Sequence, residues 1–300
     1  MQIENKKALS GRAIRCILFD LGQTLWTRVK EDGTLEQEAT QRGIRTLREY
    51  IAPEIFAQAD LLLLTEQLYE SMLTQAYEFI RNHPGYEPDH EQMINETLPQ
   101  FGLPKLDRSA SEAVFEALRI PIFGTRHLFD DALSTLHTLK QRGFLLGVVT
   151  NRFWGGQPFL ADVQKLSLFE YFEPSTMAIS ADLGIRKPNP DIFWHALREL
   201  NATPEESVMV GDSLHADIMG AKELDMLTVW KPKLYLHTEL AALQGDTLQN
   251  DDDSLFSYAR EQDDQKYWRT TGVIKPDITI KHLHELLNIF VAVGRQVEIE

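Results

Sequence analysis

The feature that most constrains the fold is an alternation of short apolar segments and amphipathic segments between residues 130 and 232. The predicted strands are 144–149, 177–179, 207–210 and 227–230, and the predicted helices are 130–142, 158–166, 190–200 and 214–224. Such alternation is typical of right-handed crossovers between parallel strands. It therefore predicts an α/β fold whose parallel sheet carries helices on both faces. A last strand is expected at 278–280, followed by a helix through Phe290.

An earlier apolar segment, residues 14–19, stops at Asp20 and is followed by Gly22 and Thr24. An aliphatic and aromatic run that ends at polar residues indicates a buried strand delivering those residues to a sheet edge. In an open parallel sheet, ligands bind at that edge. The single cysteine, Cys16, lies inside this strand and is expected to be a small core residue. A lone cysteine cannot form an internal disulfide, which fits a reducing compartment.

Residues from about 34 to 120 show helical periodicity with almost no strand signal. The clearest helix face consists of residues spaced by three and four, namely Leu61, Leu64, Leu68, Met72, Ala76 and Phe79. We therefore expect two domains: an α/β core formed by residues 1–26 and 126–300, and an inserted all-helical module at 27–125. Within the core, residues 236–272 form an acidic insertion, rich in Asp, Gln and Ser over 245–265. A solvated loop and a partner-binding acidic tract are both compatible with that composition.

The charge balance excludes some classes of partner. The formal net charge is −15, whereas a nucleic-acid-binding surface must be basic, and the same charge would repel anionic membranes. The chain has neither an apolar signal segment at residues 1–11 nor a run of about 18 apolar residues. These observations predict a cytoplasmic protein with no nucleic-acid or membrane partner, and they leave its oligomeric state undetermined.

Chemically useful side chains follow other predicted strands as well. They are Thr150 and Asn151 after the strand at 144–149, Lys187 before the helix at 190–200, and Asp212 with Asp217 after the strand at 207–210. Parallel strands end at a common edge, so these groups are expected to meet Asp20 there. A carboxylate can attack phosphorus, and carboxylates with a backbone carbonyl suit Mg²⁺. A hydroxyl and a lysine can stabilise the charge of a transferring phosphoryl group.

Four segments in this order resemble the haloacid dehalogenase-like superfamily, specifically its Mg²⁺-dependent phosphatase branch. They read LFDLGQTL, GVVTN, GIRKPNPDIF and VMVGDSLHAD. The resemblance covers about 12–26 and 126–232, with 276–290 as an extension. It implies a Rossmann-like core with a helical cap inserted after the first segment. It also implies Mg²⁺ as the cofactor and a small phosphorylated metabolite as the substrate.

Carried over residue by residue, the resemblance implies a nucleophile at Asp20 and a phosphate-binding hydroxyl at Thr150. Asn151 follows it in the same phosphate-binding segment. Lys187 resembles the lysine that neutralises the phosphate and the aspartyl-phosphate. These residues would carry out hydrolysis of a phosphomonoester through an aspartyl-phosphate on Asp20.

The implied metal ligands are Asp20, Asp212, Asp217 and the backbone carbonyl of Gly22. The dehalogenase branch of this superfamily needs no metal, whereas Asp212 and Asp217 resemble the ligands of the metal-using branch. Dehalogenation is therefore disfavoured. His215, within the same segment, is expected to be a surface or helix-start residue rather than a ligand.

The chain departs from the family pattern at Gly22, where the phosphatases usually carry a second aspartate that protonates the leaving alcohol and activates water. Loss of a general acid/base typically costs about 10²–10⁴-fold in rate. Three alternatives stay open. In the first, the enzyme acts on esters with good leaving groups; in the second, a residue of the cap or an ordered water replaces the missing acid/base. In the third, the chain only binds a phosphorylated ligand or a protein partner. Because a costly cluster of like charges is kept together, catalysis is the favoured interpretation.

Overall fold

A parallel sheet forms the centre of the larger part of this chain. The structure is a computed structural model that describes residues 11–28, 33–233, 236 and 275–293. The strands in the described residues are β1 (Cys16–Phe19), β2 (Trp26–Arg28), β3 (Arg126–Leu128), β4 (Leu145–Thr150), β5 (Met177–Ile179), β6 (Ser207–Gly211), β7 (Leu227–Trp230) and β8 (Ile278–Thr279). Six of them form one sheet in the order β5-β4-β1-β6-β7-β8, and all its pairs are parallel. The predicted α/β class is confirmed.

Strand β1 lies between β4 and β6, with Phe19 paired to Val148 on one side and to Val210 on the other. Every residue of β1 and β6 is buried, as expected for parallel strands covered on both faces. The central position of β1 explains its continuous apolar sequence. It also places the residue that follows it, Asp20, in the middle of the carboxyl edge of the sheet.

Helices follow the strands at the predicted places, except that a short helix at Ser180–Leu183 was not predicted and the segment after β6 differs. Their bounds are Ala132–Gln141, Gly156–Lys165, Ser180–Leu183, Pro190–Glu199, Gly220–Lys222 and Leu286–Ile289. The helix at Pro190–Glu199 shows why the sequence forms these elements. Its cap residue Asn189 accepts a hydrogen bond from the backbone of Asp191 at 3.0 Å, and Pro190 occupies the first turn, where its missing N–H costs nothing. Its apolar face packs into a core shared with β1, β4, β5 and β6.

The segment after β6 differs from the predicted α-helix at 214–224. Leu214–Met219 is a π-helix, and a short α-helix follows at Gly220–Lys222. The backbone N–H groups of Asp217 and Ile218 both donate to the carbonyl of Ser213, at 3.0 and 3.2 Å. Such widened turns are rare and are frequent at functional sites. Apolar periodicity alone does not distinguish them from an α-helix.

The chain divides into two compact units: Met1–Arg28 with Arg126–Glu300, and Val29–Thr125. The larger unit contains a pairing that the sequence did not predict, an antiparallel ribbon of β2 and β3. Both strands have only three residues, too few to show an alternating pattern.

The described part of the second unit is helical, with helices at Thr34–Tyr50, Pro53–Phe56, Leu61–Asn82, His90–Thr97 and Arg108–Ala117. The predicted face of the longest helix is buried at Leu64, Leu68, Met72 and Ala76. Leu61, at the first position of that helix, is 40% exposed. The interpretation of this unit as a cap stays a prediction.

The acidic segment 245–265 and almost all of the predicted insertion 236–272 lie outside the described residues. Among the helices that the structure describes, none combines the length and the apolar character needed to cross a membrane. The cytoplasmic location stays a prediction.

The reactivity of the Cys16 thiol tests whether strand β1 is buried. Burial raises the pKa of Cys16 to about 12. We expect the native thiol to resist a disulfide reagent at about pH 8, and the unfolded chain to react fully. An unfolded thiol ionises above about pH 8.5 while the buried thiol stays protonated, so the free energy of unfolding should decrease as the pH rises beyond that value. Thiol titration with and without urea measures the first effect.

The Cys16→Ala variant is the control, because it should take up no reagent and lose this component of the pH dependence. Equal reaction rates for native and unfolded wild-type protein would contradict the buried position of β1.

Candidate active site

Asp20 stands at the carboxyl edge of the sheet. Its backbone N–H donates to the carbonyl of Val210 at 2.9 Å, which continues the β1–β6 ladder by one residue. The residue is 7% exposed, so its carboxylate is largely withdrawn from water. Burial of a charge requires a compensating partner. Asp20 therefore depends on the cation beside it.

That cation is Lys187, which is 3% exposed. Its ammonium donates to Oδ1 of Asp20 at 2.7 Å, to Oδ1 of Asp217 at 2.6 Å and to the carbonyl of Val149 at 2.7 Å. An ammonium has three N–H donors, so each of them has an acceptor. Lys187 thus links the ends of β1 and β4 to the π-helix after β6.

The backbone of Lys187 is held by Asn151. The side-chain amide of Asn151 donates to the carbonyl of Lys187 at 3.0 Å and accepts from its N–H at 2.8 Å. This paired contact fixes the loop from which the ammonium extends. The side chain of Asn151, predicted to bind phosphate, is therefore engaged in positioning Lys187.

Asp217 reaches the cluster because the backbone of the preceding residues leaves room for it. Its Oδ2 accepts from the N–H of Ser213 at 2.9 Å, and the residue is 1% exposed. A Cβ built on Gly211 would lie 2.2 Å from Cγ of Asp217. Glycine is required at 211 by this close approach.

Asp212 completes a group of three acidic residues. One carboxylate oxygen from each of Asp20, Asp212 and Asp217 lies within 4.8 Å of the other two, an arrangement that can hold a metal ion. Hard oxygen ligands of this kind suit Mg²⁺. The backbone carbonyl of Asp212 accepts from Nε1 of Trp230 at 2.9 Å, and its carboxylate lies 3.6 Å from Nζ of Lys233.

The charges in this cluster influence one another. Burial disfavours the charged form of Lys187, but Asp20 and Asp217 outweigh it and raise the pKa of Lys187. Burial raises the pKa of Asp217 to about 6, with the charge of Lys187 opposing the rise and that of Asp20 adding to it. Burial thus favours the neutral form of Asp217, whereas the two carboxylates around Lys187 favour its charged form. The cluster therefore has an excess of negative charge that favours a further cation.

The remaining predicted residues lie near the same edge of the sheet. Thr150 is the last residue of β4 and is 2% exposed. Gly22 follows Asp20 by two residues, and a Cβ built on it would have one neighbour within 4 Å, Oδ2 of Asp20 at 3.9 Å. The hydroxyl of Thr24 is buried and has no hydrogen-bond partner among the described residues. The functional roles assigned to these residues stay predictions.

The surface position considered for His215 is wrong, although its place at a helix start is right. His215 is 3% exposed and lies in the first turn of the π-helix. The wide turn that brings Asp217 inward also withdraws His215 from solvent.

Sequence reasoning missed Lys231, the first residue after β7. It is 4% exposed, and its ammonium donates to the carbonyl of Gln23 at 3.1 Å. Burial lowers the pKa of Lys231 to about 8, while the charges of Asp212 and Asp131 oppose that shift. Its position directly after a predicted strand was the available signal, the same signal that identified Asp20 and Asp212.

Comparison with known proteins agrees with this geometry. Residues 14–225 match the haloacid dehalogenase-like hydrolases. The chain belongs to that family. The family resemblance inferred from the four motifs is confirmed, and so is the prediction that the chain is a hydrolase.

Two relatives illustrate the match to this hydrolase family. A glyceraldehyde 3-phosphate phosphatase of Methanopyrus kandleri is 32% identical over 216 residues, which cover 72% of this chain and 83% of the relative. A phosphoserine phosphatase of Thermus thermophilus is 29% identical over 232 residues, covering 72% of this chain and 88% of the relative.

Solved structures support the fold of this family member. A haloacid dehalogenase-like phosphatase of Thermococcus onnurineus aligns with a TM-score of 0.53 and 22% identity over 94% of this chain and all of that one. A 2-haloacid dehalogenase of Pseudomonas syringae aligns with a TM-score of 0.51 and 23% identity over 93% of this chain and 98% of that one. Since phosphatases and dehalogenases both align, the fold alone does not identify the reaction.

Replacement of the central cation tests the energetics of the cluster. In metal-free protein, Lys187→Met leaves Asp20 and Asp217 buried without their shared partner. We expect the free energy of unfolding to fall by about 3–5 kcal/mol near neutral pH. The loss should shrink in acid, where protonation removes the uncompensated charges. Urea denaturation followed by circular dichroism measures both effects.

Lys105→Met is the matched control, because Lys105 is an exposed lysine. Replacement of an exposed side chain usually changes the free energy of unfolding by less than about 0.5 kcal/mol. Equal losses in the two variants would contradict a central role for Lys187 in the cluster.

Proposed function

We propose that this chain is a Mg²⁺-dependent phosphomonoester hydrolase that forms an aspartyl-phosphate on Asp20. The observation that supports this most strongly is the ammonium of Lys187, bonded to Asp20 and to Asp217 at 2.7 and 2.6 Å. It joins a buried nucleophile candidate to a carboxylate cluster able to hold a cation. The phosphatase relatives of the family support the same reaction class.

The proposed reaction has two steps. A carboxylate oxygen of Asp20 attacks the phosphorus, the bond from phosphorus to the substrate's alcohol oxygen breaks, and the departing oxygen takes its proton from solvent water. Water then attacks the same phosphorus, which releases inorganic phosphate and restores the carboxylate. Lys187 stabilises the negative charge of both the carboxylate and the phosphoryl group. Thr150, at the end of β4, supplies a hydroxyl to the phosphoryl oxygens.

The donor set fits Mg²⁺. Asp20, Asp212, Asp217 and the backbone carbonyl of Gly22 would hold the ion, and all four offer oxygen. When bound, Mg²⁺ would offset the negative charge that otherwise keeps a phosphate from a carboxylate. The surplus negative charge of the cluster in this structure favours such binding.

Gly22 determines which esters the enzyme can cleave. Its missing side chain removes the usual source of a proton for the leaving alcohol, so esters whose alcohols leave without protonation should react best. The surroundings would accept a larger residue, since a Cβ at Gly22 meets only Oδ2 of Asp20, at 3.9 Å. Its φ also lies outside the left-handed region.

The proposed substrate is a small phosphorylated metabolite. Relatives are named for phosphomonoesters of three-carbon compounds, glyceraldehyde 3-phosphate and phosphoserine. The helical unit Val29–Thr125 is proposed to act as the cap that admits the substrate and limits the access of bulk water during reaction.

Asp20→Asn tests the nucleophile. The amide is nearly isosteric with the carboxylate but cannot attack phosphorus, so Mg²⁺-dependent hydrolysis of an aryl phosphate should fall to background. The measurement is phosphate release with Mg²⁺ and with EDTA. Hydrolysis by the Asp20→Asn variant at the wild-type rate would instead show a contaminating enzyme, and would favour the alternative of a chain that binds phosphorylated ligands without turnover.

Gly22→Asp tests the missing acid. Hydrolysis of alkyl phosphates should rise by up to about 10²-fold, the lower range for a general acid. Aryl phosphates, whose leaving groups need little protonation, should change much less. Gly22→Asn, with an amide of the same size that cannot transfer a proton, is the matched control. A gain of equal size in both variants would contradict proton transfer as the reason.

A further inference from the structure

Lys231 is a buried cation at the carboxyl edge of the sheet that the proposed reaction leaves without a role. We propose that Lys231 is a positioning residue that holds the turn Leu21–Trp26, and thereby keeps the backbone carbonyl of Gly22 in place for Mg²⁺. The inference rests on the proposed function for the identity of the ion and for the Gly22 carbonyl as one of its ligands.

The turn itself is closed by backbone hydrogen bonds. The N–H groups of Leu25 and Trp26 donate to the carbonyl of Leu21 at 2.9 and 3.1 Å, and the N–H of Gln23 donates to the carbonyl of Trp26 at 2.6 Å. These bonds form a compact loop directly after Asp20. Gly22, as its second residue, has no side chain with which to anchor itself.

Gln23 occupies the least favourable backbone position in this turn. Its φ is +59°, in the left-handed region that residues with a Cβ rarely adopt. Such a conformation persists only where the surrounding structure enforces it. The carbonyl of Gln23 is the group that Lys231 contacts, at 3.1 Å. Lys231 therefore acts on the point of the turn that needs external support.

Lys231 is itself held rigidly. Its N–H donates to the carbonyl of Gly211 at 2.9 Å, which extends the β6–β7 pairing by one residue. Its ammonium lies 3.7 Å from the ring centroid of Phe129, close enough for a cation–π interaction. The N–H of Phe129 donates to the carbonyl of Leu25 at 3.0 Å. The turn is thus bound by Phe129 on one side and by Lys231 on another.

A second lysine, Lys233, makes it possible to separate the effect of Lys231 on the turn from the effect of its charge on the carboxylates. Lys233 is 3.6 Å from the carboxylate of Asp212, so its ammonium competes with any cation for that ligand. Removal of either lysine makes the cluster more negative, which by itself strengthens Mg²⁺ binding. Loss of positioning has the opposite sign, because a displaced carbonyl weakens the site.

The test is calorimetric titration of Mg²⁺ into Lys231→Met and Lys233→Met, with no substrate present. We expect Lys231→Met to bind Mg²⁺ about 10-fold to 100-fold more weakly than wild-type protein, the usual effect of losing a group that orients a metal ligand. We expect Lys233→Met to bind it more tightly. Unchanged or tighter binding by Lys231→Met would overturn the proposal and leave Lys231 a purely electrostatic neighbour.

Hydrogen exchange of the metal-free protein provides a second readout that needs neither Mg²⁺ nor activity. The amides of Gln23 and Trp26 should exchange faster in Lys231→Met and at the wild-type rate in Lys233→Met, with the core amides of β1 protected in both as proof of folding. Exchange that is unchanged in Lys231→Met overturns the proposal. If the wild-type protein binds no Mg²⁺ while Lys231→Met still shows the faster exchange, the failure lies in the proposed function. That outcome would reject the link from the turn to the metal.

Discussion

The interaction on which the rest of this site depends is the contact of one buried ammonium with two buried carboxylates. Lys187 satisfies all its donors on Asp20, Asp217 and the carbonyl of Val149. Those acceptors belong to three different segments, so the contact fixes the geometry of the sheet edge as well as its charge. Two carboxylates beside one ammonium leave one negative charge in excess, and the carboxylate of Asp212 lies in the same group. Because the negative charge of these carboxylates is only partly neutralised, binding of a divalent cation is favoured. A bound cation would in turn favour an anionic substrate.

The sheet and most of the site could be predicted because their signals are local. Asp20 and Asp212 each follow an apolar strand, and parallel strands bring such residues to one edge. Lys231 carries the same signal, but its burial depends on the ring of Phe129 and the carbonyl of Gln23, which are distant in sequence. The π-helix that buries His215 was equally invisible, since its apolar spacing resembles that of an α-helix. Tertiary contacts explain what the local pattern could not.

Gly22 is the position at which this chain departs from the pattern that its four motifs imply. The carboxylate that would protonate a leaving group is absent, while the candidate nucleophile, the lysine and the candidate metal ligands are all present. The structure shows space beside Gly22, so the missing side chain is a difference in chemistry and not a consequence of crowding. The proposed enzyme would therefore combine a candidate phosphoryl-binding site with a weakened means of proton transfer. Selection among esters would follow from that combination, in addition to any contribution from the helical unit.

A crystal structure of the protein with Mg²⁺ and beryllium fluoride, a mimic of a transferred phosphoryl group, tests the central claim most directly. The account predicts beryllium bonded to a carboxylate oxygen of Asp20, Lys187 within hydrogen-bond distance of the fluorides, and Mg²⁺ bound by Asp20 and Asp212. Beryllium fluoride bound away from Asp20, or Mg²⁺ bound outside the group of Asp20, Asp212 and Asp217, would contradict it.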